Sequence, residues 1–148
     1  MGAAGSLYEL KTSGTGLEIR FSSSMDRIDD VCTAVTLFLR SLGDLFSPHI
    51  FAVNLVIREG LTNAVRHGNQ NDPGKVVDFS LTVDSGRIRV RIADEGNGFD
   101  WQDARSGSLA EDADHGRGVT IMDTYFDRCQ YNQKGNILYL EKEIAAEV

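Results

Sequence analysis

Residues 76–94 read VVDFSLTVDSGRIRVRIAD, two stretches of alternating apolar and polar side chains separated by Asp84, Ser85 and Gly86. Alternation with a period of two marks a strand with one buried face, and a tight link of this composition joins two such strands into an antiparallel hairpin. A lone hairpin is marginal in water, so its apolar face calls for more strands beside it and a layer on top of it.

The remaining segments supply both. LEIRF at 17–21 alternates as a half-buried strand. Ser24 is a suitable N-cap for a helix that runs through DRIDDVCTAVTLFLRSLG and stops at Gly43, and a second helix is expected from about Ser47, with Pro48 in its first turn, to near Gly68. The turn-forming run GNQNDPGK then predicts a loop. A Gly-rich acidic stretch at 95–118 is too long for an ordinary connector, VTIMDTYFDRC predicts a short helix, and CQYN, QKG and NILYLEKEI predict a closing hairpin. The expectation is an α+β two-layer sandwich, a mostly antiparallel mixed sheet covered on one face by helices, with residues 1–16 as a flexible leader and 17–148 as one domain.

Composition removes several classes of function. No apolar run approaches the roughly 20 residues needed to span a bilayer, and MGAAGS at the start lacks the features of a secretory signal, so no membrane association and a cytoplasmic location are expected. A net charge of -7 opposes direct nucleic-acid binding. Cys32 and Cys129 are far apart with no CxxC or Cys/His cluster, which supports neither a disulfide framework nor a zinc site.

Three motifs stand out. In REGLTNAVRHGNQ, Glu59, Asn63 and His67 recur at four-residue intervals and form one helical stripe, while Val53, Ile57, Leu61 and Ala64 form the opposite, core-facing side. The polar stripe is expected to face solvent or a cleft. Asp94 continues the apolar side of its strand and leads into Glu95, Gly96, Asn97, Gly98 and Phe99. Gly116 and Gly118 precede a helix, where free N–H groups and the helix dipole favour an anion such as phosphate. Taken singly, these motifs are equally a solvated helix face, an ordinary strand-end turn and a flexible loop before a helix. Their conjunction in one order on a two-layer scaffold is more specific.

That conjunction resembles the ATP-binding fold of gyrase, the heat-shock chaperones, histidine kinases and MutL, known as the Bergerat or GHKL fold. Glu59, Asn63 and His67 match its Asn-bearing helix, DEGNGF at 94–99 its first glycine box and HGRGVTIM at 115–122 its second. No GxxxxGK[ST] loop is present to bind nucleotide in the other common geometry. EGLTNAVRHG, DEGNGFD and GRGVTIM, following an N-terminal strand and helix, are similar to the bacterial anti-sigma factor serine/threonine kinases.

The resemblance implies ATP and Mg²⁺ as cofactors, and as partners a sigma factor and an anti-anti-sigma antagonist of the STAS type, phosphorylated on serine. It implies that Asp94 accepts a hydrogen bond from the adenine amine and that Gly96 and Gly98 let the ring lie close. Asn63 would hold Mg²⁺ through its amide oxygen. Glu59 would be the catalytic base, its pKa raised by partial burial beside Val56. Gly116, Arg117, Gly118 and Val119 would cap the triphosphate, with Arg117 a candidate for compensating charge on the γ-phosphate. Arg66 and His67 would contact phosphate or simply finish the helix, the latter ranked first. Phe99 and Trp101 would anchor one edge of the lid.

Val31, Val35, Phe38, Leu39 and Leu42 spread over more than a narrow stripe of the first helix. Core packing explains most of them, and a homodimer surface is implied for the rest. Two alternatives stay open: a nucleotide-gated binding protein with little phosphoryl transfer, and an ATP-hydrolysing module like those of gyrase or the mismatch-repair proteins. The second is disfavoured by a length of 148 residues, short for transducer and dimer arms.

Overall fold

The structure, a computed structural model, describes residues 7–98 and 121–144. Strands β1 (Tyr8–Thr12), β2 (Gly16–Ser22), β3 (Val76–Asp84), β4 (Arg87–Ala93), β5 (Arg128–Tyr131) and β6 (Ile137–Glu143) form one sheet in the order β1-β2-β3-β4-β6-β5. Among the described residues every neighbouring pair in that sheet is antiparallel, as expected of a mostly antiparallel sheet. Helices α1 (Met25–Ser41) and α2 (Ile50–Thr62) cover one face, and residues 121–125 add a helical turn, α3.

Register explains why the sheet takes this layer. Ile19 lies opposite Phe79, Phe79 opposite Ile92, Ile92 opposite Leu138 and Leu138 opposite Tyr131, a buried row across five strands. Ile28, Val31, Val35 and Leu39 of α1 and Val53, Val56, Ile57 and Leu61 of α2 close over it, each 0% exposed. Each such burial stabilises the fold by roughly 1.5–3 kcal/mol. The opposite face carries ion pairs such as Arg87–Glu143 (2.8 Å) and Arg20–Asp78 (3.5 Å), which add little because water screens them.

The first helix begins where expected: Ser24 Oγ accepts from the Asp26 N–H at 3.2 Å, and Gly43 beyond its end has φ +105°. Two expectations are corrected. Tyr8–Thr12, assigned to a flexible leader, is an edge strand paired with β2 from Tyr8↔Phe21 to Thr12↔Leu17. Its side chains beyond Tyr8 are exposed, so backbone hydrogen bonds make the strand, and the short alternation of Tyr8 and Leu10 with Glu9 and Lys11 is its trace in the sequence. Tyr8 fixes it to α1, with Arg27 5.2 Å from the ring centroid and its hydroxyl donating to the Asp30 carbonyl at 3.3 Å.

The second correction concerns the Asn-bearing helix. Ser47–His49, containing Pro48, is a 3₁₀ turn, α2 proper starts at Ile50, and Asn63–Gly68 is a π turn. A π turn holds more residues than an α turn, so the spacing that stacks Asn63 above Glu59 does not carry on to His67.

Candidate functional site

The end of α2 comes close to the sheet because of Gly60. A Cβ there would lie 2.8 Å from Ile92 Cδ1 and 2.9 Å from Leu138 Cδ2, so the helix backbone rests directly on the sheet's side chains. Glycine costs a helix interior about 1 kcal/mol relative to alanine, which close packing offsets here. The Asn63 N–H still donates to the Glu59 carbonyl, so these two residues are successive rungs of one face.

That face is not open to solvent along its length. Asn63 is 9% exposed, and the described residues offer its side-chain amide no hydrogen-bond partner. An amide with no partner in the protein is available to a ligand that supplies one. Glu59 and His67 are half-buried, whereas Arg66 is exposed.

The π turn delivers Gly68 onto Asp94. A Cβ built on Gly68 would overlap the Asp94 carboxyl, and one built on Gly96 would overlap the Gly68 carbonyl. Asp94 Oδ1 accepts from the Gly96 N–H at 2.8 Å, which leaves Oδ2 as the acceptor for an incoming donor. Burial raises the Asp94 pKa from 3.8 to about 6, against the lowering effects of the Gly96 N–H, Lys134 and Lys75.

Gly98 has a comparable reason to be glycine. Its φ is +92°, and a Cβ would overlap the Lys134 carbonyl in the turn between β5 and β6. That turn is anchored to Asp94 on the main chain: the Asp94 N–H donates to the Asn136 carbonyl at 2.9 Å, and Asn136 Nδ2 donates to the Asp94 carbonyl at 3.3 Å. Asn132 Oδ1 holds the turn itself by accepting from the N–H groups of Gly135, Asn136 and Ile137 at 2.9–3.1 Å. Packing between chain segments therefore accounts for Gly96 and Gly98 before any ligand is considered.

The structure brings Asp94 and Gly96 together at the end of the turn that follows Asn63. Gly116, Arg117, Gly118 and Val119, with Phe99 and Trp101, lie outside the described residues. Sequence reasoning missed Gly68, Asn69, Asn132 and Asn136. Gly68 and Asn69 sit in a run so rich in turn formers that it reads as plain loop, and Asn132 and Asn136 flank an ordinary hairpin turn. A partner-poor amide and a half-buried carboxylate fit a ligand that brings a metal ion to one and a hydrogen-bond donor to the other.

Comparison with known proteins finds a family, similar sequences and a similar fold. Residues 21–142 match the family described as Histidine kinase-like ATPase domain. The chain is 29% identical over 136 residues to the Anti-sigma F factor of Geobacillus kaustophilus (strain HTA426), covering 87% of this chain and 92% of that protein. It is 32% identical over 98 residues to the Anti-sigma F factor of Heyndrickxia coagulans, covering 61% of this chain and 67% of that protein. Among solved structures, the histidine kinase domain from the Erythrobacter litoralis EL346 blue-light activated histidine kinase superposes with a TM-score of 0.51 at 15% identity, over 84% of this chain and 62% of that one. At that identity the likeness speaks for the fold.

Proposed function

This chain belongs to the histidine kinase-like ATPase domain family, and from that premise we propose that it is an ATP-dependent anti-sigma factor. It would bind a sigma factor and phosphorylate a serine of an anti-anti-sigma antagonist of the STAS type. One observation carries the nucleotide part of this reading: Asn63, a buried residue whose amide has no partner among the described residues, stands on the helix that ends, through Gly68, against the half-buried Asp94 carboxyl. The sigma-factor part is supported by relatives named Anti-sigma F factor, of which this chain covers about nine-tenths in the longer matches.

In this reading Asp94 Oδ2 accepts from the adenine amine, and a base that presents a carbonyl there is disfavoured by repulsion from the carboxylate. Asn63 would hold Mg²⁺ through its amide oxygen, a hard ligand of the kind that ion prefers. Bound Mg²⁺ neutralises charge on the phosphates. Glu59, one turn before Asn63, accepts or orients the proton of the attacking serine hydroxyl. Gly116, Arg117, Gly118 and Val119 cap the phosphates, while Arg66 and His67 stand at their edge.

A homodimer is part of the same proposal. Leu37 on α1 is 62% exposed and Leu10 on β1 is 43% exposed, an apolar pair that a second copy would cover. No described helix is long and apolar enough to cross a membrane, which is compatible with action in the cytoplasm.

A second reading has its own support. The relatives' printed name speaks of a sigma factor and not of phosphoryl transfer, so a nucleotide-gated binding protein with little or no kinase activity is the alternative. Incubation with γ-labelled ATP, Mg²⁺ and an antagonist protein separates the two. Label on an antagonist serine, lost with Glu59→Gln, supports the kinase. ATP binding with no label transferred leaves the gated binder, and no ATP binding by folded protein sinks both.

A further inference from the structure

Asn69 follows the π turn and is 0% exposed. Its Nδ2 donates to Ser23 Oγ at 2.5 Å and to the Val76 carbonyl at 2.9 Å, while its Oδ1 accepts from the Glu95 N–H at 2.7 Å. Its own N–H donates to the Ala64 carbonyl at 2.8 Å. One buried amide thereby uses both donors and its acceptor to join the end of the α2 segment, the junction between β2 and α1, the start of β3 and the turn after β4.

What that junction holds is the turn that carries Asp94. Two consecutive N–H groups of this turn are occupied: Glu95 donates to Asn69 and Gly96 donates to Asp94 Oδ1. The first fixes the turn to the rest of the protein, and the second fixes the carboxyl to the turn. Gly68 and Gly96 then leave the carboxyl no room to swing toward the helix, because a single Cβ at either position would already overlap its neighbours.

We propose that Asn69 is a positioning residue for Asp94, holding its turn against Gly68 and so setting the direction in which the carboxyl meets a nucleotide base. The base clause rests on the nucleotide reading above, whereas the positioning of the carboxyl does not. The Glu95 N–H is one whose loss of partner matters: its bond to Asn69 is the part-buried tie of this turn, the other tie of Glu95, Oε1 accepting from the Val76 N–H at 3.3 Å, is exposed, and without Asn69 the N–H turns to water. Once moved, Asp94 is hydrated and no longer aligned. Charged groups near it are Lys75 ahead of β3 and Lys134 in the turn between β5 and β6, with Glu95 beside it in its own turn.

The test is an NMR titration of the Asp94 carboxyl in the unliganded protein, in wild type, Asn69→Ala and Ser23→Ala. Ser23→Ala removes the 2.5 Å bond and some stability but leaves the anchor to Glu95. The wild-type midpoint is expected near 6. In Asn69→Ala it is expected to fall by about one pH unit or more toward the ordinary carboxylate range, and in Ser23→Ala to stay. Where Asn69→Ala does not fold, Asn69→Ser, too short to reach Glu95, gives the same reading.

Calorimetry with ATP and GTP accompanies the titration. The preference for ATP is expected to shrink by roughly ten-fold in the Asn69 variant and not in Ser23→Ala. A folded Asn69 variant with the wild-type Asp94 midpoint overturns the proposal. A shifted midpoint with an unchanged nucleotide preference overturns its base clause. Absence of nucleotide binding in the wild type defeats the nucleotide reading instead, and the titration still decides the role of Asn69.

Discussion

Gly68 abuts the side chain of Asp94 so closely that a Cβ on the former would occupy the carboxyl of the latter. The two residues are 26 positions apart, as their numbers show, and belong to different layers. Their contact is where the helical layer hands over to the sheet, and it confines a carboxyl that half-burial already perturbs.

Gly68→Ala tests that confinement directly. The neighbour that must give way is the Asp94 carboxyl itself, held on its other side by the Gly96 N–H. Overpacking of this kind costs about 1–3 kcal/mol, so the melting temperature should fall. ATP affinity should drop roughly ten-fold or more at a temperature where the variant is folded. Unchanged ATP affinity, read by calorimetry, would show that the carboxyl does not meet the nucleotide.

The pH dependence of stability follows from Asp94. Its folded pKa, about 6, lies above the ordinary 3.8, so between these values the native state binds more protons than the unfolded state. The resulting stability is present below about 3.8 and is lost as pH rises through about 6. A shift of this size corresponds to about 3 kcal/mol when fully expressed, and solvent screening of a half-exposed carboxyl reduces it to about 1 kcal/mol. Asp94→Asn should therefore be the more stable protein at pH 8, by urea unfolding, and should have a flatter profile between pH 4 and 6. A variant less stable than wild type at pH 8 contradicts the burial argument.

Binding of an adenine amine should run the other way with pH. The amine prefers the carboxylate, so ATP affinity is expected to rise between pH 5 and pH 7 in wild type and to change less in Asp94→Asn. Parallel calorimetric titrations at the two pH values decide it, and equal slopes in both proteins count against Asp94 as the acceptor.

Asn63→Ala separates ligand binding from folding. Because the described residues give this amide no partner, its removal should leave stability within about 1 kcal/mol of wild type, or raise it. Mg²⁺-dependent ATP binding should nevertheless weaken by roughly ten-fold or more, with the Mg²⁺-free affinity less affected. Thermal unfolding with and without Mg·ATP reads both quantities in one experiment. A large loss of stability in the unliganded variant would mean that Asn63 is a structural amide after all.

Glu59→Gln keeps size and removes the base. Single-turnover transfer to an antagonist serine is expected to slow by about 10²–10⁴-fold, the usual range for loss of a positioned general base, with ATP affinity within a few-fold of wild type. Transfer at the wild-type rate would assign the proton to another group.

Much of the architecture was legible in the chain. The alternation in 76–94 and 17–21, the helical spacing of Val53, Ile57 and Leu61, and the Ser24 cap each encode local structure through a single periodicity or one hydrogen bond, and the structure bears them out. Asp94 announced itself because its place in the alternation put a carboxylate on the buried side. Strand β1 was less plain, since its alternation of Tyr8 and Leu10 with Glu9 and Lys11 is short and its edge position is secured by backbone pairing.

What tertiary structure alone decided is the junction behind Asp94. The π turn at Asn63–Gly68 forms where the helix must deliver Gly68 and Asn69 to the sheet, which moves His67 off the stripe its spacing suggested. Asn69, Gly68 and Gly96 owe their identities to contacts between segments far apart in the chain, and a clearance too small for one carbon atom has no signature in sequence. Periodicity records which face of an element is buried; it holds no record of how closely two elements approach, and that distance is what aims the carboxyl.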